Sequence, residues 1–318
     1  MTNANPILGV YLSDSLDLDA VYGDALRSAA DDVVLRHPHE IDSPEDVRFA
    51  ICWLPNEQAF EAYPNLTLAM SIGAGVDALL AHPGLGDGVQ IARVRDPHQA
   101  DLMAGFAAHE VLNREREFAI LERNAAKAHW EPLPMRAPAS AKVAVLGHGT
   151  MGRAVVEAVA ALGFSVRVAC RSQPQAPVKG VTYLTGERAV MEASNGADYL
   201  INVLPLTAST ENVLGKALFA KLAKGAWLVQ IGRGEHLVED DLVEALKSGQ
   251  LSGASLDVFR EEPLPADHPF WQNERLRITP HIASDSLPEV VAGQVIDTAR
   301  ALRDGQPLAM GVDRARGY

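Results

Sequence analysis

The sequence has 318 residues, enough for about two domains that each bury a core. Hydrophobic residues make up 47% and charged residues 22%, the balance of an ordinary globular protein. A net charge of −13 with no basic run argues against nucleic acid as a partner, while leaving room for an arginine pocket that takes a small anion.

The opening residues Met1 to Gly9 lack the basic and long apolar regions of a signal peptide, and no apolar run approaches membrane-spanning length. Neither a membrane nor an export route is therefore expected. The two cysteines, Cys52 and Cys170, lie far apart in apolar surroundings. Free thiols of this kind fit a reducing cytoplasm, which is the expected location.

Along the chain, Ile7–Leu12 reads as a strand and Leu18–Ala30 as a helix opened by acidic residues that suit its dipole. Val33–Leu35 and Arg48–Trp53 are further short apolar runs, and Leu66–Ser71 is another strand. Strands alternating with helices predict a small parallel α/β unit. The turn Gly73-Ala-Gly75 stands where a strand gives way to a short helix at Val76–Leu80, so its N–H groups can hold a small carboxylate. A plain strand–helix turn is the simpler reading of the same residues. Trp53 ends an apolar run, as core aromatics commonly do. No metal site is expected. His37 and His39 have no third ligand nearby, and His109-Glu-Val-Leu-Asn113 carries Asn113 where a zinc-protease motif needs histidine.

Asp101 is the expected cap of a helix running to about Arg123, with Met103, Phe106, Ala107 and Val111 at helical spacing. The three prolines between Trp130 and Ala139 then read as an extended connector. A domain junction is expected near residue 100.

Val143–Leu146 reads as a buried strand, followed by Gly147, Gly149 and Gly152 in the spacing G-x-G-x-x-G and by a helix from Arg153 to Leu162. The three glycines serve a tight turn, close approach of backbone to a pyrophosphate, and helix–strand packing; the helix N-terminus offers unpaired N–H groups to the phosphates. The next strand, Ser165–Cys170, ends in Arg171 and Ser172, where an NAD-binding unit usually places an acidic residue. A carboxylate there repels a ribose 2′-phosphate, whereas arginine and serine bind one. NADP(H) is thus the preferred cofactor, with NAD(H) possible. Further strands are expected at Tyr199–Leu204, Ala226–Ile231 and Gly253–Phe259, with an amphipathic helix at Glu239–Lys247. A doubly wound sheet of six strands is complete if the short segments Val181–Leu184 and Arg277–Thr279 also pair.

Three segments fall at or beyond the C-terminal ends of these strands, where open α/β sheets bind ligands: Gln230-Ile-Gly-Arg-Gly234, Asp257 to Pro263, and Thr279-Pro-His-Ile-Ala283. Their order resembles the D-2-hydroxyacid dehydrogenase family, whose arginine, glutamate and histidine occur in such segments. The resemblance extends over nearly the full length, including Ile72 to Asp77, the glycine fingerprint and Leu204-Pro-Leu-Thr-Ala-Ser-Thr210. Trp130-Glu-Pro-Leu-Pro134 and the closing Val312 to Tyr318 look most like the glyoxylate/hydroxypyruvate reductase branch.

The resemblance implies a Rossmann dinucleotide-binding domain over 100–285 inserted into a flavodoxin-like substrate domain formed by 1–99 and 286–318. It implies that Pro288–Arg303 returns as a helix to the first domain, and that two copies form a homodimer. It makes Arg233 the holder of the substrate carboxylate and keto oxygen, His281 the acid/base, and Glu262 (which immediately precedes Pro263) the partner of that histidine. Gly75 and Val76 match backbone that binds the substrate carboxylate, and Trp53 matches an aromatic that closes the substrate pocket. Cofactor contacts carried over are Thr150 and Met151 beside the glycines, Leu204, Pro205 and Thr210, and Asp257 at the nicotinamide carboxamide.

The chemistry agrees with that set. A 2-keto acid is a small anion with a polarised carbonyl, so a planar guanidinium can bridge its carboxylate and carbonyl oxygens. Hydride addition leaves negative charge on the carbonyl oxygen, and a protonated histidine neutralises it. A carboxylate bonded to the imidazole favours the charged ring and fixes its orientation. The expected activity is NADPH-dependent reduction of glyoxylate or hydroxypyruvate to the 2-hydroxy acid. Reduction of another 2-keto acid, such as pyruvate or phenylpyruvate, is the near alternative, and a dinucleotide-sensing regulatory protein of the same fold is the alternative from another class. Glu262 departs from the family's formate dehydrogenases, which carry glutamine there.

Overall fold

The computed structural model describes residues 6–314; the last four residues of the closing motif lie outside the described residues. The chain divides into two compact units, one formed by Met1–His98 with Asp285–Tyr318 and the other by Gln99–Ser284.

The first unit contains β1 (Ile7–Leu12), α1 (Leu18–Ala29), β2 (Val33–Arg36), β3 (Val47–Cys52), β4 (Leu68–Ser71), α2 (Asp77–Leu80) and β5 (Gln90–Arg93). Its five strands pair in the order β2-β1-β3-β4-β5, all parallel. Residues alternate along each strand between two apolar layers: Phe49 and Ile51 join one, Ala50 and Cys52 the other. A parallel strand covered on both faces has this pattern, and each buried Leu, Ile or Phe is worth roughly 1.5–3 kcal/mol. Asp17 caps α1 by accepting from the Ala20 N–H at 3.0 Å.

The helix expected to start at Asp101 begins earlier, as α3 (Pro97–Glu115), and does not reach Arg123. Pro97 is suited to the first helical turn, and the Asp96 carboxylate accepts from the His98 N–H at 2.9 Å. The helix breaks at Glu117, whose φ of +52° is left-handed, and α4 (Phe118–Ala126) follows. The break falls in Arg114-Glu-Arg-Glu117, a charged run with no apolar face to bury.

The second unit continues with β6 (Lys142–Leu146), α5 (Thr150–Ala161), β7 (Ser165–Ala169), β8 (Thr182–Leu184), α6 (Ala189–Ser194), β9 (Tyr199–Asn202), α7 (Lys216–Phe219), β10 (Ala226–Gln230), α8 (Glu239–Lys247), β11 (Leu251–Leu256) and β12 (Leu276–Ile278). Both short segments pair, so the sheet has seven parallel strands instead of six, in the order β12-β11-β10-β9-β6-β7-β8. The order reverses between β6 and β9, the switch point at which open α/β sheets bind ligands. Val143 and Val145 face the layer shared with α3 and α5, while Ala144 and Leu146 face the layer shared with α7 and α8. The two α/β units with parallel sheets are the fold that the strand–helix alternation predicts.

The last helix, α9 (Pro288–Arg303), belongs to the first unit and packs Val291, Val295 and Ile296 into its core. Arg300 and Arg303 close on the Asp32 carboxylate at 2.6 and 2.8 Å, which anchors the returning helix beside β2. No helix among the described residues is long and apolar enough to cross a membrane.

Candidate active site

The glycine turn after β6 has the geometry its composition predicts. Gly147 has φ +104°, and a Cβ there would stand 2.8 Å from the Val203 carbonyl oxygen. A Cβ on Gly152 would come within 2.3 Å of the Gly147 carbonyl oxygen, so α5 packs against the turn only with hydrogen at that position. Gly149 differs: no atom lies within 4 Å of its would-be Cβ. The turn therefore leaves open room at the N-terminus of α5, whose first N–H groups, from Thr150 and Met151 onward, lack intrahelical partners. The residues present fit a dinucleotide pyrophosphate. Arg171 and Ser172 are exposed just past the end of β7. The Leu204–Thr210 loop is internally bonded: the Thr210 hydroxyl donates to the Pro205 carbonyl at 2.7 Å and accepts from the Thr207 N–H at 2.9 Å.

His281 lies beyond β12 with φ +54°, a left-handed conformation that costs a non-glycine residue about 1–3 kcal/mol. It is held there by its own N–H, bonded to the carbonyls of Asp257 at 2.9 Å and Thr279 at 3.1 Å. The Asp257 carboxylate, 1% exposed, takes the Thr279 hydroxyl at 2.6 Å and the N–H groups of Ile282 and Ala283 at 2.9 and 2.8 Å. Asp257 thus moulds the histidine loop, a task its reading as a cofactor contact left out.

The imidazole Nδ1 of His281 lies 2.7 Å from Glu262 Oε2, and the other Glu262 oxygen accepts from the Phe259 N–H at 2.9 Å. Glu262, rather than Glu261, is the carboxylate on the histidine. Burial pushes the Glu262 pKa up, but the hydrogen bond and charge of His281, the Phe259 N–H and the nearby Arg233 outweigh it and hold the group below its ordinary value. With Nδ1–H given to Glu262, the neutral ring has its lone pair on Nε2.

Arg233 follows β10 in a segment pressed close to the acidic loop. A Cβ on Gly234 would lie 1.9 Å from the Phe259 carbonyl carbon, so glycine is required for the two segments to touch. Three buried side chains that the sequence reading passed over hold this segment: Asn202, Gln230 and His236, each 0% exposed. Gln230 accepts from the Gly232 N–H at 3.3 Å and donates to the Arg233 carbonyl at 2.7 Å. His236 Nδ1 accepts from the Arg233 N–H at 3.1 Å. Asn202 donates to Gln230 at 2.8 Å and to His236 Nδ1 at 2.9 Å. A single polar residue closing an apolar strand, as in β9 and β10, was the available signal.

In the first unit, Gly75 and Val76 follow β4. The Ser71 hydroxyl donates to the Gly75 carbonyl at 2.7 Å, and Arg93 donates to the Ala74 carbonyl at 3.0 Å. Trp53 is half-buried, its ring 3.1 Å from a would-be Cβ of Gly73, and it packs against the core of that unit. Elsewhere, His37 and His39 stack on each other with centroids 5.4 Å apart. Glu110 is buried against Arg277, His109 and Ser255.

Residues 109–283 match the family model of the D-isomer specific 2-hydroxyacid dehydrogenase NAD-binding domain. The chain is 39% identical over 282 residues to the glyoxylate/hydroxypyruvate reductase A of Serratia proteamaculans, covering 87% of this chain and 89% of that protein. It is 36% identical to the reductase of the same name from Yersinia enterocolitica, over 85% and 87% of the two chains. Among solved structures, the NADPH-dependent glyoxylate/hydroxypyruvate reductase of Sinorhizobium meliloti, in complex with NADP and sulfate, superposes with a TM-score of 0.88 at 29% identity, covering 99% of this chain and 100% of that one. A D-isomer specific 2-hydroxyacid dehydrogenase from Xanthobacter autotrophicus, in complex with NADPH and MES, gives 0.86 at 33% identity over 99% and 100%. With more than half of its length matched by the family model and relatives of this identity spanning most of it, the chain belongs to the D-isomer specific 2-hydroxyacid dehydrogenase family.

Proposed function

We propose that this protein reduces a small 2-keto acid, glyoxylate or hydroxypyruvate, to the 2-hydroxy acid with NADPH. The observation that carries the reading is the Glu262–His281 pair at 2.7 Å with Arg233 close enough to lower the Glu262 pKa. The names of the relatives from Serratia proteamaculans and Yersinia enterocolitica point to the same substrates.

In this reading the second unit is the dinucleotide-binding domain, with Gly147, Gly149, Thr150, Met151 and Gly152 at the pyrophosphate and Leu204, Pro205 and Thr210 along the cofactor. Arg171 and Ser172 take the 2′-phosphate, consistent with the NADP and NADPH held by the two structural relatives. A reduced nicotinamide, when bound, supplies the hydride. The protein supplies the rest. The Arg233 guanidinium binds the substrate carboxylate and polarises the carbonyl. His281, protonated at Nε2, gives its proton to the carbonyl oxygen as negative charge develops there. Glu262 keeps the ring oriented through its bond to Nδ1. Asp257 acts on the reaction through the loop it holds, and a contact to the carboxamide remains part of the proposal.

The first unit is the substrate domain. Bonds from Arg93 and Ser71 to the carbonyls of Ala74 and Gly75 fix the turn whose Gly75 and Val76 N–H groups take the carboxylate in this reading. Trp53 shapes the same turn through its contact with Gly73. A homodimer is supported by the connector after α4, where Trp130 is 97% and Met135 72% exposed, large apolar side chains that a partner surface would cover. A cytoplasmic location rests on the two free cysteines.

Oxidation of NADPH and NADH, followed with glyoxylate, hydroxypyruvate, pyruvate and phenylpyruvate, tests the assignment. The expected order of kcat/KM places glyoxylate and hydroxypyruvate above the others and NADPH above NADH. A preference for pyruvate or phenylpyruvate replaces the substrate, a preference for NADH removes the role of Arg171, and inactivity with every 2-keto acid removes the reductase.

A further inference from the structure

His236 has no exposed surface, two acceptor contacts at one ring nitrogen and a third partner at the other. Nδ1 receives N–H groups from Arg233 and Asn202, so it carries no proton. The neutral ring then bears its hydrogen on Nε2, which faces the Pro205 carbonyl oxygen at 3.3 Å. The same carbonyl receives the Thr210 hydroxyl, and the neighbouring Leu204 N–H donates to Asn202 Oδ1 at 3.3 Å. One imidazole therefore touches the backbone of Arg233 on one side and the Leu204–Thr210 loop on the other. Space allows no substitute packing: a Cβ on Gly232 would stand 2.8 Å from Asn202 Nδ2 and 3.0 Å from His236 Nδ1.

We propose that His236 is a positioning residue for the reaction, fixing Arg233 relative to the Pro205 loop so that the substrate anion and the cofactor are held in one register. The proposal rests on the assignment above of Arg233 to the substrate and of Pro205 to the cofactor. A buried, fully bonded histidine could equally serve fold stability alone, and the two roles separate because the two ring nitrogens do different things. In an asparagine, Oδ1 takes the place of Nδ1 and keeps the acceptor for the Arg233 N–H, but nothing reaches Pro205. In a glutamine, the longer amide N–H takes the place of Nε2–H and keeps the bond to Pro205, but loses the acceptor at Arg233.

The test is steady-state kinetics of wild type, His236→Asn, His236→Gln, His236→Leu and Arg233→Ala, with KM determined for the 2-keto acid and for NADPH. KM reads only folded molecules, so loss of stability does not imitate the effect. In His236→Asn the KM for NADPH is expected to rise about tenfold, the scale of one lost buried hydrogen bond, while the KM for the 2-keto acid stays within about twofold. The reverse split is expected in His236→Gln, and both constants rise in His236→Leu. Wild-type KM values in His236→Leu, or equal shifts of both constants in the asparagine and glutamine variants, overturn the proposal. If Arg233→Ala itself leaves the KM for the 2-keto acid unchanged, the assignment of Arg233 has failed instead.

Discussion

The two ends of the seven-stranded sheet in the second unit are both rich in polar contacts, yet they are built differently. At the N-terminal end, side chains hold backbone too, as Asp198 does the Lys142 N–H and Gln250 the Phe219 and Leu222 carbonyls, but beside them stands a cluster in which side chains bond one another. Arg136 reaches Glu115 at 2.8 Å and Asp198 at 3.1 Å, and the Tyr199 hydroxyl donates to Glu115 at 2.6 Å. At the C-terminal end, buried side chains grip backbone: Asn202 takes Leu204 N–H, Gln230 takes Gly232 N–H and Arg233 C=O, and Asp257 takes Ile282 and Ala283 N–H. Side chains that bond one another add a little stability. Side chains that bond loop backbone decide where the next residue stands, and at this end the next residues are Arg233 and His281. Removing a group from each end should therefore give different kinds of loss, in activity at one end and in stability at the other.

The largest effect is expected at the residue this scaffolding presents. His281→Ala should lower kcat roughly 10²- to 10⁴-fold, the usual worth of a positioned proton donor. NADPH affinity, read by fluorescence titration, should stay within about twofold, because the alanine leaves the glycine turn and the Leu204–Thr210 loop untouched. Turnover near that of the wild type would remove His281 from the mechanism and with it the functional contrast between the two ends.

A smaller and pH-dependent change is expected one step away. Glu262 is held below the ordinary carboxylate pKa, with burial opposed by the His281 bond and charge, the Phe259 N–H and Arg233. A carboxylate lowered in this way stabilises the folded state above its unfolded value of about 4.3 and loses that contribution as the pH falls through its lower folded value. Glu262→Gln should therefore unfold at lower urea than wild type near pH 7, with the difference shrinking at pH values below about 4. In kinetics kcat should fall, since the amide no longer offers a carboxylate to orient the imidazole through the 2.7 Å bond. A wild-type kcat together with an unchanged urea midpoint at neutral pH would leave Glu262 without a role.

Much of this architecture is legible in the chain itself. Runs such as Val143–Leu146 and Tyr199–Ile201 are apolar at every position because both faces of a parallel strand are covered, and Glu239–Lys247 shows the spacing of a one-sided helix; both occur as expected. The trio of Arg233, Glu262 and His281 could be picked out from three short segments, and the 2.7 Å pair puts two of its members in contact. Less legible was what depends on partners distant in sequence. Asn202 and His236 are 34 positions apart, and although Asn202 is the one polar residue closing β9, nothing in either segment names the other as its partner. The Pro97 start of α3 was obscured because Asp96 and Asp101 both suit a helix cap, and β5, with only four residues split between apolar and polar, carries no period to read.

The smallest effect on activity belongs to the N-terminal end, and it decides whether the contrast is real. Arg136 is partly exposed, and its bonds to Glu115 and Asp198 are the main link between the proline-rich connector and this edge of the sheet. Glu115 is pushed up by burial but drawn below its ordinary value by Arg136 and the Tyr199 hydroxyl, so loss of the arginine leaves a largely buried carboxylate with one partner fewer. Arg136 is open to water but the Glu115 side chain is only 8% exposed, so the cost should be about 1–3 kcal/mol, the scale of a largely buried group left one partner short. Arg136→Ala is therefore expected to lower the urea midpoint, with kcat and both KM values within about twofold of wild type. If kcat fell tenfold while the fold remained intact, the N-terminal ion pairs would be shaping the active site across the length of the strands. The division of labour between the two ends would then have to be abandoned.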